Sequence, residues 1–246
     1  SAALQAASWE TNECVGVNQR GDVIVYERWG GINVAKLNAE FSTFAFKEWS
    51  THRFEARAMM LDQLSRHGKR EVRFSIVINL EGVNMAHRKL LSYAKEWTAG
   101  DATDSVPDCR ATSHFVRANR IAAGILNIVK RQVFSEHLSA TVFMLASNDP
   151  FAASADFAAI FDRSALPADI GGTLTTGTGG HCCRGMNLPA LNDPDALWSY
   201  YESLLSSNLK DEMAKRNAER SAEPPFSIAR ALSLGMFQTD EELDDA

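Results

Sequence analysis

Val72-Arg73-Phe74-Ser75-Ile76-Val77-Ile78-Asn79-Leu80-Glu81-Gly82 carries the clearest periodicity in the chain. Val72, Phe74, Ile76, Ile78 and Leu80 alternate with Arg73, Ser75, Val77 and Asn79, which sends one set of side chains to a single face of a strand. Val77 makes the centre apolar on both faces, as in a strand inside a covered parallel sheet. Glu81-Gly82 closes it.

Upstream, Asn18-Gln19-Arg20-Gly21-Asp22 is a turn signal leading into a strand at Val23-Ile24-Val25-Tyr26, closed by Gly30-Gly31. Residues before Asn18 give no clear period. Ser42 caps a long helix reaching about Arg66, with Ala45, Trp49, Ala56, Met59, Met60 and Leu64 as its apolar stripe and His67-Gly68 as its stop. Downstream, a helix is expected through Leu90, Leu91, Tyr93 and Ala94, then a polar loop from Gly100 to Pro107. Ser113 to Ala118 reads as a short strand. Arg120 to about Phe134 reads as a helix, with Ile121, Ile125, Ile128 and Val129 on one side and Asn127, Lys130 and Arg131 on the other. Ala140 to Ala146 is an apolar strand, and Asp156 to Phe161 a short helix.

Strands alternating with helices predict an α/β fold, a mostly parallel β-sheet flanked by helices. The character changes after Gly172. Thr173 to Gly180 reads as a linker, Leu197 to Met213 as one amphipathic helix, and Thr239 to Asp245 as an acidic end.

The 246 residues suit one domain with an appendage, and an apolar share of 45% allows a core. Lys and Arg number 25 against 31 Asp and Glu, a net charge of −6 without a dense basic stretch, which argues against a nucleic-acid partner. Cys14, Cys109, Cys182 and Cys183 form neither CxxC nor a disulfide framework, as in a reducing compartment. No apolar run approaches the ~20 residues of a membrane span. The opening SAALQAASWE lacks the charged start and apolar middle of a signal peptide, and it lacks a Met, as in a fragment or processed form. The expectation is a cytoplasmic protein that meets membranes peripherally.

Enzyme signatures are missing. His181-Cys182-Cys183 has no fourth ligand at zinc spacing, so no metal site is expected. Gly177-Thr178-Gly179-Gly180 lacks the Lys-Ser/Thr ending of a P-loop. There is neither a Gly-x-Ser-x-Gly element nor an HExxH, and the six histidines have no nucleophile nearby in sequence. The chain reads as a non-enzyme without a cofactor.

Three landmarks resemble the Sec14-like (CRAL-TRIO) lipid-binding family. Arg20-Gly21-Asp22-Val23-Ile24-Val25-Tyr26-Glu27-Arg28-Trp29-Gly30 is similar to its opening strand, and Ile76 to Gly82 to its central strand ending Asp-Leu-x-Gly. Leu166-Pro167-Ala168-Asp169-Ile170-Gly171-Gly172 resembles its closing Leu-Pro-x-x-x-Gly-Gly. Between them, Pro107-Asp108 stands where the family has Tyr-Pro-Glu, and Phe115 to Asn119 where it has an Ile-Asn-Ala-Pro-like strand. The resemblance covers roughly residues 14–175, a lipid-binding domain, and leaves 176–246 as linker, amphipathic helix and acidic tail. The family's small helical lobe, which precedes this domain, has no counterpart in the sequence.

The resemblance implies a cavity floored by the sheet and covered by a gate helix over about Ile121 to His137. Its expected lining is Phe74, Ile76, Ile78, Phe115, Arg117, Ile121, Ile125, Ile128, Val129, Val142 and Met144. Leu166, Pro167, Gly171 and Gly172 form the closing motif. Glu55, Asp108 and Thr141 fall near the headgroup or gate. Glu55 either pairs with an Arg near the gate or lies on a solvated face, and Arg117 either holds an anion in the site or packs its stem with its head in water. The acidic and two basic positions that serve inositol phosphate in relatives match Asp108, Cys109 and Ala140 or Thr141. Both cations are absent there, which disfavours a phosphoinositide.

Where phosphatidylcholine-binding members have hydroxyls on the central strand, this chain has Phe74 and Ile76, which suits a greasier ligand. The implied function is non-catalytic binding and transfer of a hydrophobic lipid, whether phospholipid, sterol or isoprenoid-like, with transient contact to a membrane surface. The alternative is an interaction or targeting module with a filled cavity, whose protein partner binds the C-terminal region. Chemistry sets what a carrier needs: moving a sixteen-carbon chain into water costs roughly 13 kcal/mol, from about 0.8 kcal/mol per methylene, so it requires a dry chamber.

Overall fold

In the computed structural model the strand over Phe74–Asn79 is buried at every residue, as a strand covered on both faces must be. The structure describes residues 10–40, 42–90, 93, 109–132, 141–174, 193–205 and 207–222. Among these the sheet has five strands side by side in chain order: β1 (Glu10–Val17), β2 (Val23–Arg28), β3 (Phe74–Asn79), β4 (Arg110–Val116) and β5 (Val142–Leu145). β1 is antiparallel to β2, and β2 through β5 are parallel. The fold is α/β with a mostly parallel sheet.

The sequence hides β1. Its run Glu-Thr-Asn-Glu-Cys-Val-Gly-Val is polar at the start and pairs with one neighbour only. The turn that makes the hairpin is legible: the Asn18 side-chain oxygen accepts from the backbone N–H of Arg20 and Asp22, both at 2.9 Å, and Gly21 supplies a positive φ of 77°.

Seven α-helices are described: α1 (Val34–Glu40), α2 (Thr43–Gly68), α3 (Arg120–Gln132), α4 (Pro150–Ala153), α5 (Ala155–Ile160), α6 (Pro194–Leu204) and α7 (Ser207–Ala222). Ser42 caps α2 by accepting from the Ala45 N–H at 3.1 Å, and Lys69 ends it in the left-handed region. A 3₁₀ turn, Met85–Lys89, capped by Asn84, precedes the helix expected through Leu90 to Ala94, of which Leu90 and Tyr93 are helical and the rest lies outside the described residues. The helix expected over Leu197 to Met213 is two, because Leu205 leaves the helical region at ψ 141° before the Ser/Asn-rich start of α7.

The chain divides into two units, Ser1–Leu209 and Lys210–Ala246. The first contains the sheet, with α6 packed on α2 and β1. Of the second, the described part is the rest of α7. The linker residues from 175 onward and the acidic end lie outside the described residues, as does the polar loop through residue 107. No described helix is long and apolar enough to cross a membrane.

With β2 to β5 in chain order, crossovers of one hand put their helices on one face of the sheet. The register puts Tyr26, Val77 and His114 in line, with Glu27, Ile78 and Phe115 on the other face. The first face is a packed core: Ile24, Tyr26, Val77 and Val116 meet Phe157, Ile160, Phe161, Leu166 and Ile170. The closing motif is part of this packing. A Cβ on Gly172 would collide with the Leu166 carbonyl, so the chain can turn back there only through glycine. Asp169 accepts from the Tyr26 hydroxyl at 2.6 Å and the Asn79 amide at 3.0 Å, tying the motif to two strands.

Candidate functional site

The second face is hollow. A cavity of about 100 Å³ lies between the sheet and helices α2 and α3. Phe74, Ile76, Ile78 and Leu80 floor it from one alternating side of β3 and the residue after it, joined by Ser113 and Phe115 of β4. Ala122, Ile125, Leu126 and Val129 roof it, one row of α3 at helical spacing. Phe46, Trp49, Ser50, Arg53, Phe54 and Arg57 of α2 form a side wall, and Val83, His87, Leu90 and Tyr93 close the end beyond Leu80.

The polar groups in this apolar chamber fall into two ends. Towards the C-terminal end of β2, Glu27 is buried and accepts from Arg53 and from the Trp29 indole N–H, both at 2.7 Å. Its charge is thus met locally. The Tyr93 hydroxyl donates to Asn38 at 2.8 Å, and burial pushes its phenol above the usual range. His87 Nδ1 lies 3.2 Å from the Asn84 N–H, and burial holds its pKa below the ordinary imidazole value against backbone hydrogen bonds with Asn84, Trp29 and Gly30. At neutral pH the ring is uncharged.

At the other end two guanidiniums meet the Phe74 ring. Arg57 lies 4.5 Å and Arg110 5.8 Å from its centroid, and Arg57 is only 4% exposed. Ser113, opposite Ile76 in the ladder, is buried with a hydroxyl oxygen that has no hydrogen-bond partner. A cation over an aromatic face is attracted by the ring quadrupole while its in-plane N–H groups stay directed outward.

Of the residues read from sequence as lining, Phe74, Ile76, Ile78, Phe115, Ile125 and Val129 border this cavity. Five do not. Ile121 and Ile128 fall off the inward row of α3 and are 40% and 38% exposed. Val142 is buried opposite Ser113, and Met144 is 40% exposed opposite Phe115, because β5 is a four-residue edge strand beyond the roof.

Arg117 follows β4 in the left-handed region at φ 55°, which turns its side chain out of the strand's alternation. Its guanidinium donates to Glu81 at 2.5 Å and to the Asp169 carbonyl at 2.6 Å, and it does not border the cavity. Glu55 sits on the exposed side of α2, 3.3 Å from His52. Thr141 passes its carbonyl to the Ser113 N–H at 2.9 Å and does not reach the chamber. Asp108 and residues 133–137 of the expected gate lie outside the described residues, as do His181, Cys182 and Cys183. Leu166, Pro167, Gly171 and Gly172 belong to the packed face.

Glu27, Arg53, Arg57, His87, Arg110 and Ser113 escaped the sequence reading. A signal existed for α2: Phe46, Ser50, Arg53, Arg57, Met60 and Leu64 recur every three or four residues, and Phe46, Ser50 and Arg57 lie one position beyond Ala45, Trp49 and Ala56 of the expected stripe, which shares Met60 and Leu64. Met59, assigned to that stripe, is 56% exposed. No group of His, Cys, Asp and Glu able to hold a metal ion occurs among the described residues. No protein-family model and no curated protein matches this chain at a significant level.

Proposed function

We propose that the chain binds a hydrophobic lipid in this cavity and carries it between membranes, or presents it to partner enzymes, as a divergent relative of the Sec14-like proteins. The observation that carries the reading is the hollow itself. One face of the sheet is filled by side chains, while the other, equally apolar, stands off from α2 and α3 around a chamber walled mainly by Phe, Ile, Leu and Trp. A carrier needs such a dry space with a helix for its roof.

The work is binding, without catalysis or a cofactor, at the cytoplasmic surface of a membrane. About 100 Å³ is less than the ~300–1,000 Å³ of sites that enclose a drug-sized ligand, so α3 must move outward to admit a whole lipid chain. The same small volume favours the second reading, an interaction module of this fold whose chamber is vestigial.

Native mass spectrometry of the purified protein, with identification of what is released, separates the two. A stoichiometric lipid is expected. A mass equal to the bare chain, together with no uptake of alkyl ligands from vesicles, would overturn the carrier.

A further inference from the structure

Three places hold polar groups in unusual surroundings. His114 is buried against three phenylalanines, Arg117 clamps Glu81 and Asp169, and Arg57 and Arg110 face Phe74 inside the chamber. The first two do not border the cavity. The third opens on the cavity.

We infer that the cavity's ligand is a single-chain anion, its head held by Arg57, Arg110 and Ser113 at the Phe74 end and its chain lying along Ile76 and Ile78 beneath α3. This rests on the carrier reading of the same chamber.

Four observations converge on it. Two guanidiniums converge on one ring at one end of a chamber lined mainly by apolar side chains. Each guanidinium carries five N–H donors in a fork whose geometry matches a carboxylate or phosphate. Ser113 adds a buried hydroxyl with no hydrogen-bond partner at the neighbouring ladder position. At the far end of the chamber Arg53 is already engaged by the Glu27 carboxylate at 2.7 Å, so the cations that face the Phe74 ring set the orientation of the ligand. A single chain asks a smaller outward movement of α3 than the two tails of a phospholipid. The cations lacking at the positions expected from the resemblance are supplied here from a helix and from the start of β4.

The test uses the full chain and displacement of the neutral fluorophore 1-aminoanthracene by hexadecanoate, hexadecyl phosphate and hexadecanol at pH 7.5. At least one anion is expected to bind about tenfold or more tightly than the alcohol, as charge-assisted hydrogen bonds require. Preference between the two anions then tells a fatty acid from a phosphomonoester. In Arg110→Gln and Arg57→Gln the advantage should fall towards one, with hexadecanol affinity unchanged. Should Arg57→Gln fail to fold, Arg110→Gln and Ser113→Ala read the same ratio. Equal binding of acid and alcohol by the native chain would overturn the assignment of the head and leave the cavity standing. Failure of all three ligands to displace the fluorophore would overturn both.

Discussion

The two faces of the sheet start from the same kind of sequence and end differently. Tyr26, Val77, His114 and Val116 on one face pack against Phe157, Phe161, Leu166 and Ile170, while Phe74, Ile76, Ile78 and Phe115 on the other look into a chamber. The difference lies in what covers them. Short elements cap the packed face: Asp149 and Ser154 cap α4 and α5, and Asp162 caps the turn at Arg163–Ala165, so each piece settles independently against the strands. Two long helices span the other face, and a rigid rod cannot follow a twisted sheet at every residue. Solidity comes from short capped pieces, and hollowness from long ones.

Truncation tests that contrast most strongly. Phe157 is fully buried and makes ring contacts with Phe151 at 5.1 Å and Phe161 at 4.7 Å. Phe157→Ala should cost about 3–5 kcal/mol of unfolding free energy in urea, because it opens a new hole in a filled region. Ile76→Ala removes atoms that already border empty space and should cost about 2 kcal/mol, the low end for such a change. Equal losses at the two positions would mean that the faces are packed alike.

The next effect is pH. His114 stacks on Phe143 at 5.0 Å, and burial, with a smaller contribution from the Arg20 charge, lowers its pKa to about 4. The folded value lies below the unfolded value near 6.5, so between those limits the unfolded chain binds the extra proton. Stability is therefore unaffected by this group above pH 6.5 and falls as pH drops towards 4, by about 3 kcal/mol in all. His87 is shifted in the same direction, also first by burial. Urea titrations from pH 7 to 4 should show the loss, and His114→Phe should flatten most of it. A native chain equally stable at both ends would place His114 in contact with water.

The central strand and the long helix are legible in the sequence, and the polar lining of the chamber is not. Alternation in Val72 to Leu80 located β3 and its burial, and Ser42 and His67-Gly68 bounded α2 within two residues. β1 was missed because an edge strand with polar residues carries no apolar period of its own. On α3 the four apolar residues Ile121, Ile125, Ile128 and Val129 were read as one side, yet only Ile125 and Val129 sit over the cavity, joined by Ala122 and Leu126. A helix that is apolar over a broad arc does not announce which row faces inward. Arg57 and Arg110 were invisible for another reason. Each lies far in sequence from the other, and only the approach of α2 to the start of β4 puts both beside one ring.

Glu55 gives the smallest effect and the sharpest control. It lies on the same helix as Arg57 but on the turned-away side, paired with His52 at 3.3 Å where both side chains are mostly exposed. Such a pair gains little in high dielectric and is screened by salt. Glu55→Ala should change stability by no more than about 0.5 kcal/mol and leave ligand displacement as in the native chain. An acidic residue two positions from the Phe74 end would perturb an anionic head if it faced the chamber, so tighter binding of hexadecanoate by this variant would show that α2 is rotated from its described orientation. Unchanged binding, beside a loss in Arg57→Gln, would place the boundary between wall and solvent within a single turn of α2.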